Sequence, residues 1–115
     1  MCMKRALRKA KINIEIGLNE NNVSETISWM ASDYGEVCHD SKSIMLSMWD
    51  GSKKETLSID MWTKDMTVQE MKFFIFQTLL KMNEVIKKST GEDKLVIEMQ
   101  KFIKRFGVLA EVIKK

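Results

Sequence analysis

The sequence of 115 residues has no proline, one histidine and two cysteines, and its five glycines stand singly. Two thiols, Cys2 and Cys38, do not make the disulfide framework of a small secreted domain, which normally carries four or more cysteines. Together with His39 they also fall short of the four ligands of a structural zinc site. No glycine-rich phosphate-binding loop is present. These absences favour a reducing compartment and no resident metal.

Long apolar segments are also missing. The longest stretch without a charged residue covers residues 73–80, whereas a membrane-spanning helix needs about 20 residues. Residues 1–11 lack the apolar segment and cleavage site of a secretory signal. With 44% hydrophobic and 30% charged residues, the composition is that of an ordinary soluble protein. We therefore expect a soluble, cytoplasmic protein without a membrane span.

Positive charge is concentrated at the amino terminus. Residues 1–11 carry five basic side chains and no acidic one, whereas the rest of the chain holds 14 basic and 16 acidic side chains. Termini are usually loose unless tied down, so we predict a basic flexible extension over residues 1–10 and a single domain over 11–115. A basic tip can touch phosphate or an anionic membrane. The mildly acidic remainder argues against a nucleic-acid-binding domain.

An alternating pattern in the first quarter of the chain predicts a β-hairpin. Apolar and polar side chains alternate over residues 12–18, and within 23–29 the apolar residues 23, 27 and 29 alternate with the polar residues 24, 26 and 28, which is the period of a half-buried strand. The Asn-rich run 19–22 suits a turn, because asparagine tolerates the left-handed backbone conformation. A four-residue loop would place Leu18 opposite Val23 and Ile14 opposite Ile27, with apolar side chains facing each other.

A second hairpin is predicted after a polar surface connection over residues 31–43. Apolar side chains alternate over 44–48 and 57–61, on either side of the polar segment 50–55. Pairing Met48 with Leu57 and Leu46 with Ile59 forms one dry apolar face. The nearly continuous apolar run 41–49 also fits a short helix; we favour the strand because of the alternation.

The pattern changes to a helical period in the second half. Thr67 and Glu70 form a capping box, in which each side chain satisfies a free backbone donor at the helix start. Apolar residues then recur every three or four positions up to residue 86. A second apolar stripe consists of Phe73, Phe76 and Leu80. This helix is therefore expected to need cover on two sides.

A second amphipathic helix is predicted after the Ser-Thr-Gly sequence at 89–91. Thr90 with the acidic residues 92 and 93 would start it, and apolar residues recur at spacings of four and three from Leu95 to Ile113. Gly107 is a candidate position for a bend or an early end.

The order of these elements predicts an α+β fold. It consists of a four-stranded antiparallel sheet, made of two hairpins, followed by two C-terminal helices packed on one face of the sheet. The two apolar stripes of the first helix are compatible with a homodimer. They fit equally a monomer whose second helix covers one stripe.

Reactive side chains do not form a catalytic pattern. Cys38 and His39 are neighbours in sequence, whereas a nucleophile and its base usually come from separate parts of a chain. Four carboxylates surround the second hairpin, at positions 50, 55, 60 and 65, but lysines lie among them and favour a solvated ion-pair surface. We therefore expect no enzymatic activity, cofactor, metal or small-molecule substrate.

The best candidates for function are exposed apolar side chains that suit protein contact. Trp49, Trp62, Met45 and Asp60 project from the face of the second hairpin opposite its apolar stripe, and aromatic residues and methionine are enriched at protein interfaces. The surplus apolar side of the first helix adds two further candidates, Phe73 and Phe76. The alternative is that the helices cover this face and the tryptophans are core residues.

Three stretches of the sequence resemble the GldC family of gliding-motility proteins from Bacteroidetes. The first is Trp49-Asp50 followed by 56–64, which ends in Trp62-Thr63-Lys64. The second is 18–23 with Ile27-Ser28-Trp29, and the third is 66–72 with Phe74, Gln77, Thr78 and Leu79. Together they span roughly residues 11–106. The sequence departs from the family in having Ser24 where proline is usual, and in the basic residues 1–9.

The resemblance implies a small accessory protein of gliding motility, associated with machinery that is also coupled to protein secretion. It implies no enzymatic activity, cofactor or catalytic residue. Our leading hypothesis is therefore a non-enzymatic module that binds another protein of the gliding and secretion machinery. The alternative is an export-chaperone-like protein that binds unfolded secreted clients, because four strands followed by two helices resemble the layout of SecB-type chaperones.

Overall fold

The computed structural model describes residues 8–35 and 37–114, so Cys2 and most of the predicted basic extension lie outside the described residues. It shows an α+β protein, as predicted, with two antiparallel sheets of three and two strands and two C-terminal helices. The elements are β1 (Ile12–Leu18), β2 (Ser24–Ala31), a 3-10 turn (Ser32–Tyr34), β3 (His39–Ser41), β4 (Ser43–Asp50), β5 (Glu55–Trp62), α1 (Val68–Thr90) and α2 (Asp93–Leu109). The chain divides into two compact units, 1–66 and 67–115.

The first hairpin forms, but the predicted register is wrong by two residues. Ile16 lies opposite Ile27 and Ile14 lies opposite Trp29. The carboxamide oxygen of Asn19 accepts hydrogen bonds from the backbone N–H groups of residues 21 and 23, at 2.8 and 3.0 Å. These bonds extend the turn to residue 23, and a bulge between residues 17 and 18 adjusts the pairing.

A short third strand lies where a surface connection was predicted. β3 pairs with β2, and His39 lies opposite Trp29. Its three residues, His-Asp-Ser, show no apolar alternation, so the sequence carries no strand signal here. Trp29 holds β3 in two ways: its ring stacks on His39 at 4.6 Å between centroids, and its indole N–H donates to the Ser41 hydroxyl at 3.0 Å.

The second hairpin has the predicted register. Met48 lies opposite Leu57 and Leu46 opposite Ile59, so the alternative of a helix over 41–49 is wrong. Lys42 separates β4 from β3, and its carbonyl accepts from Thr63 N–H at 2.7 Å. The four predicted strands are therefore β1, β2, β4 and β5, and the additional strand β3 belongs to the first of two separate sheets. The predicted dry face is also wrong, because its central side chains are exposed: Leu46, Met48, Leu57 and Ile59.

The helical unit begins with the predicted capping box. Thr67 Oγ1 accepts from Glu70 N–H at 3.0 Å, and the Glu70 carboxylate accepts from Thr67 N–H at 2.9 Å. α1 ends at Gly91 in the left-handed conformation, with φ of 65°, as the Ser-Thr-Gly signal predicts. Thr90 belongs to α1, however, and Glu92 is the N-terminal cap of α2. None of the described helices is long and apolar enough to cross a membrane.

Gly107 does not end α2, which continues to Leu109. The glycine is buried, and a Cβ atom there would lie 2.7 Å from Phe76 Cε1 and 2.7 Å from Ile113 Cγ1. This glycine therefore allows α1, α2 and the residues after α2 to pack closely. The few buried apolar side chains among the described residues are Ile27 and Ala31 in the first unit, and Ile103 and Ala110 in the second.

Candidate interaction surface

The turn that connects β4 to β5 is stabilised by the side chain of Asp50. Asp50 Oδ1 accepts from the backbone N–H groups of Ser52 and Lys53, at 2.9 and 3.2 Å. Lys54 adopts the left-handed conformation, with φ of 56°, and its N–H donates to the Asp50 carbonyl at 2.8 Å. These bonds fix the register of the whole hairpin, because turn geometry decides which residues of the two strands face each other.

One side of the hairpin, here called the tryptophan face, carries four of the six predicted site residues. Trp49 and Trp62 are 66% and 58% exposed, so neither is a core residue. Met45 and Asp60 lie directly opposite each other. The full face consists of Ser43, Met45, Ser47, Trp49, Thr56, Ser58, Asp60 and Trp62.

The two tryptophans lie at opposite ends of this face. Trp62 is opposite Ser43 and Trp49 is opposite Thr56, so six residues of β4, or about 20 Å, separate them along the hairpin. Trp62, Met45 and Asp60 form one cluster, because diagonal neighbours on a strand pair lie within reach of an aromatic side chain. The structure therefore brings three of the predicted residues together and places Trp49 apart, beside the turn.

Small polar side chains occupy the middle of the tryptophan face. The hydroxyl groups of Ser47 and Ser58 lie 3.2 Å apart across the two strands. Because these side chains are small, the middle of the tryptophan face projects less than its two ends, where Trp49 and Trp62 lie. A binding partner would meet two separate apolar anchors with hydrogen-bonding groups between them.

The opposite, aliphatic face of the hairpin is formed by Ile44, Leu46, Met48, Leu57, Ile59 and Met61. Its central members are exposed. Within the described ranges, no third strand pairs with β4 or β5 in their sheet. The hairpin thus offers two side-chain faces and unpaired backbone groups along its edges.

Phe73 and Phe76, the other two predicted site residues, lie in α1 and differ in exposure. Phe73 is exposed, whereas Phe76 is half-buried and lies next to Gly107 of α2. Phe76 therefore has a packing role inside the helical unit. Only Phe73 is free to contact a partner without rearrangement of this unit.

Cys38 and His39 do not converge as a nucleophile and its base. The Cys38 thiol is exposed, while the His39 ring stacks on Trp29. The Tyr34 ring makes a T-shaped contact with the Trp29 ring, with 5.9 Å between the ring centroids. In the ranges 8–35 and 37–114, no group of three or more His, Cys, Asp or Glu side chains is placed to hold a metal ion.

A comparison with protein-family models decides the family. The model described as gliding motility-associated protein GldC-like matches residues 24–112. The chain belongs to the GldC-like family. Membership associates it with gliding motility, and confirms the resemblance noted in the sequence. Neither curated proteins nor solved structures gave a significant match.

The GldC-like match begins at the first residue of β2 and ends shortly after α2. It includes the β4–β5 hairpin and all six predicted site residues. β1 lies outside the match, although it is paired with β2 along its whole length. The interaction role of these residues stays a prediction.

A groove in the helical unit of this GldC-like chain was not predicted. It has a volume of about 500 Å³ and is lined by Phe76, Leu80, Asn83, Glu84, Lys87, Val96, Gln100, Ile103, Lys104 and Ile113. Asn83 is buried there and donates from Nδ2 to the Val96 carbonyl at 3.2 Å. Its Oδ1 atom has no hydrogen-bond partner. Position 83 continues the helical spacing of Phe76 and Leu80, but because Asn83 is polar, apolar periodicity alone does not extend the stripe to this position.

Proposed function

We propose that this GldC-like chain is a non-enzymatic accessory protein of the gliding-motility apparatus that binds another protein through the tryptophan face. The observation that carries the proposal is the exposure of Trp49 and Trp62 on a hairpin whose backbone is fixed by eight paired positions. Tryptophan is enriched among residues that dominate binding energy, and a rigid strand pair presents it with little loss of conformational entropy on binding.

The cluster of Trp62, Met45 and Asp60 supplies the stronger anchor of the two. An indole ring beside a methionine gives apolar area, and the adjacent carboxylate gives a charged group that can fix the orientation of a basic or hydrogen-bond-donating partner. Trp49, about 20 Å away along the hairpin, supplies a second contact. A partner that reaches both ends would span the length of β4.

Truncation of Trp62 tests this proposal. We expect Trp62→Ala to weaken binding about 30-fold or more, the loss typical of a truncated hot-spot tryptophan, and to leave the thermal unfolding curve nearly unchanged. The measurement is quantitative mass spectrometry of proteins that co-purify with the tagged full chain from its native organism, followed by titration of the enriched protein against wild type and variant.

Leu57→Ala is the matched control, because Leu57 is also exposed but lies on the aliphatic face of the same hairpin. Retained binding in this variant, with loss in Trp62→Ala, assigns the contact to the tryptophan face. A large fall in melting temperature on Trp62→Ala would contradict the proposal. Enrichment of unfolded secreted precursors, lost equally in both variants, would instead support the export-chaperone alternative.

A further inference from the structure

The outer side of α2 carries a second apolar surface that the proposed function does not use. Leu95, Phe102 and Leu109 are 46%, 51% and 70% exposed. They recur every seven residues, so they lie on almost the same side of the helix. We call these three residues the α2 stripe.

The α2 stripe is distinct from the side of α2 that packs inside the helical unit. Ile103 and Gly107 are buried on that inner side, and Ile103 is about 100° around the helix from Phe102. Met99 and Phe106 are half-buried between the two sides, and the Phe106 ring lies 6.1 Å from the Phe102 ring. The stripe therefore has one apolar flank, formed by Met99 and Phe106.

The other flank of the α2 stripe is charged. Glu98 and Arg105 are four residues before and three residues after Phe102, which places them about 40° and 60° to the same side of it. Along the helix axis they lie about 6 Å before and 4.5 Å after Phe102. The two charges are thus of opposite sign and nearly equidistant from the centre of the stripe.

We propose that the α2 stripe binds the α2 stripe of a second copy of this chain, antiparallel, about a two-fold axis at Phe102. In this arrangement Phe102 meets its counterpart, and Leu95 lies level with Leu109 of the other copy. Glu98 lies within about 1.5 Å, along the axis, of the level of Arg105 of the other copy. Two symmetric ion pairs form on one flank, and Met99 meets Phe106 on the other.

Charge complementarity favours a second copy of this chain as the partner of the α2 stripe, and it favours the antiparallel over the parallel arrangement of the two helices. An antiparallel two-fold pair keeps the charged flanks of both helices on the same side, so each Glu98 meets an Arg105. A parallel pair would place each charged flank against the apolar flank of the other helix. In the single chain Glu98 contacts Lys101 at 3.5 Å, and both side chains are largely exposed, so little stability is lost when Glu98 changes partner.

The contact area indicates a weak dimer. One helix face of 15 residues is at the small end of specific interfaces, below about 1,200 Å² in total. We expect a dissociation constant on the order of 10–100 µM. Sedimentation equilibrium of the full chain over a range of about 5–500 µM covers this constant.

A charge exchange at positions 98 and 105 tests the dimer. Glu98→Arg and Arg105→Glu should each weaken it at least about tenfold, because each creates two like-charge contacts. The double variant should return to within about threefold of wild type. Phe102→Glu should be monomeric throughout, with Phe102→Ala as a milder substitute if it unfolds. Ile97→Glu is the control, because Ile97 is exposed on a different side of α2.

Cysteine cross-linking tests the direction. In a Cys2→Ser/Cys38→Ser background, Phe102→Cys should form a disulfide-linked dimer on oxidation. Leu95→Cys should not, because the two copies of residue 95 are about 21 Å apart along the axis in the antiparallel pair. A chain that is monomeric at every concentration overturns the proposal. So does a dimer that persists in Phe102→Glu, or one that the charge exchange does not restore.

Discussion

At the scale of single residues, the packing of α1 against α2 depends on the absence of a side chain at Gly107. Glycine in the interior of a helix costs about 1 kcal/mol relative to alanine. Gly107 is nevertheless helical and buried, because Phe76 of α1 and Ile113 after α2 occupy the space that a Cβ atom would need. In the sequence pattern, Gly107 is visible only as a residue of low helix propensity. The close approach that requires it becomes visible only when the neighbours are placed.

Replacement of this glycine should destabilise the protein. In Gly107→Ala the added methyl group overlaps the Phe76 ring, which costs about 1–3 kcal/mol. The gain in helix propensity returns about 1 kcal/mol, so we expect a net loss of about 1 kcal/mol in the free energy of unfolding. Urea denaturation followed by circular dichroism measures it.

Gly51→Ala is the control for this substitution, because a Cβ atom at Gly51 would make only an ordinary 3.6 Å contact with Trp49. Shortening the ring in the double variant Gly107→Ala/Phe76→Leu should recover part of the loss. Equal effects of the two single glycine substitutions would contradict the packing explanation.

At the scale of elements, the two hairpins show what alternation predicts and what it leaves open. Side chains in a strand repeat every two residues, so a shift by two keeps every apolar side chain on the same face. Ile27 opposite Ile14 and Ile27 opposite Ile16 are therefore equally good by pattern. In the second hairpin Asp50 fixes the turn, and the register was predicted correctly. In the first, the side-chain bonds of Asn19 decide the register.

Asn19→Ala should therefore destabilise the first hairpin. The variant loses two hydrogen bonds to backbone N–H groups, and we expect a loss of about 1–2 kcal/mol in the free energy of unfolding. Chemical denaturation followed by tryptophan fluorescence is the measurement.

Asn19→Asp is the matched variant, since a carboxylate accepts the same two bonds, and it should stay within about 0.5 kcal/mol of wild type. An alanine variant as stable as the aspartate variant would show that the register has another cause.

At the scale of the whole molecule, the fold class and family followed from the sequence, but the exposure of the apolar residues did not. Alternation identifies which side chains share a face, and it cannot say whether anything covers that face. Charge is also unevenly divided: residues 12–66 hold ten acidic and four basic side chains, whereas residues 67–115 hold six acidic and ten basic ones. The net charge of +3 therefore hides an excess of acidic side chains over residues 12–66 and an excess of basic side chains over residues 67–115.

The exposure of the tryptophans predicts the fluorescence of the whole chain. Trp49 and Trp62 face solvent, whereas Trp29 is half-buried and hydrogen-bonded. In Trp49→Phe/Trp62→Phe the remaining Trp29 should emit at a shorter wavelength than wild type, and this emission should shift to longer wavelength on unfolding. Steady-state emission spectra with acrylamide quenching are the measurement.

The complementary variant Trp29→Phe should emit like a solvated indole before and after unfolding, and acrylamide should quench it readily. Strong protection of its emission from acrylamide in the purified chain would contradict the exposure of Trp49 and Trp62.

The unpaired edges of the β4–β5 hairpin are sites at which copies of this chain could aggregate. Unpaired strand edges can template the addition of further copies and grow into cross-β fibres. Over residues 56–62 the only charged side chain is Asp60. Stacked copies of β5 would bring these carboxylates into a repelling column, which is how a gatekeeper residue discourages fibrils. The carboxylate that we propose orients a partner thus also opposes the stacking of β5 from further copies.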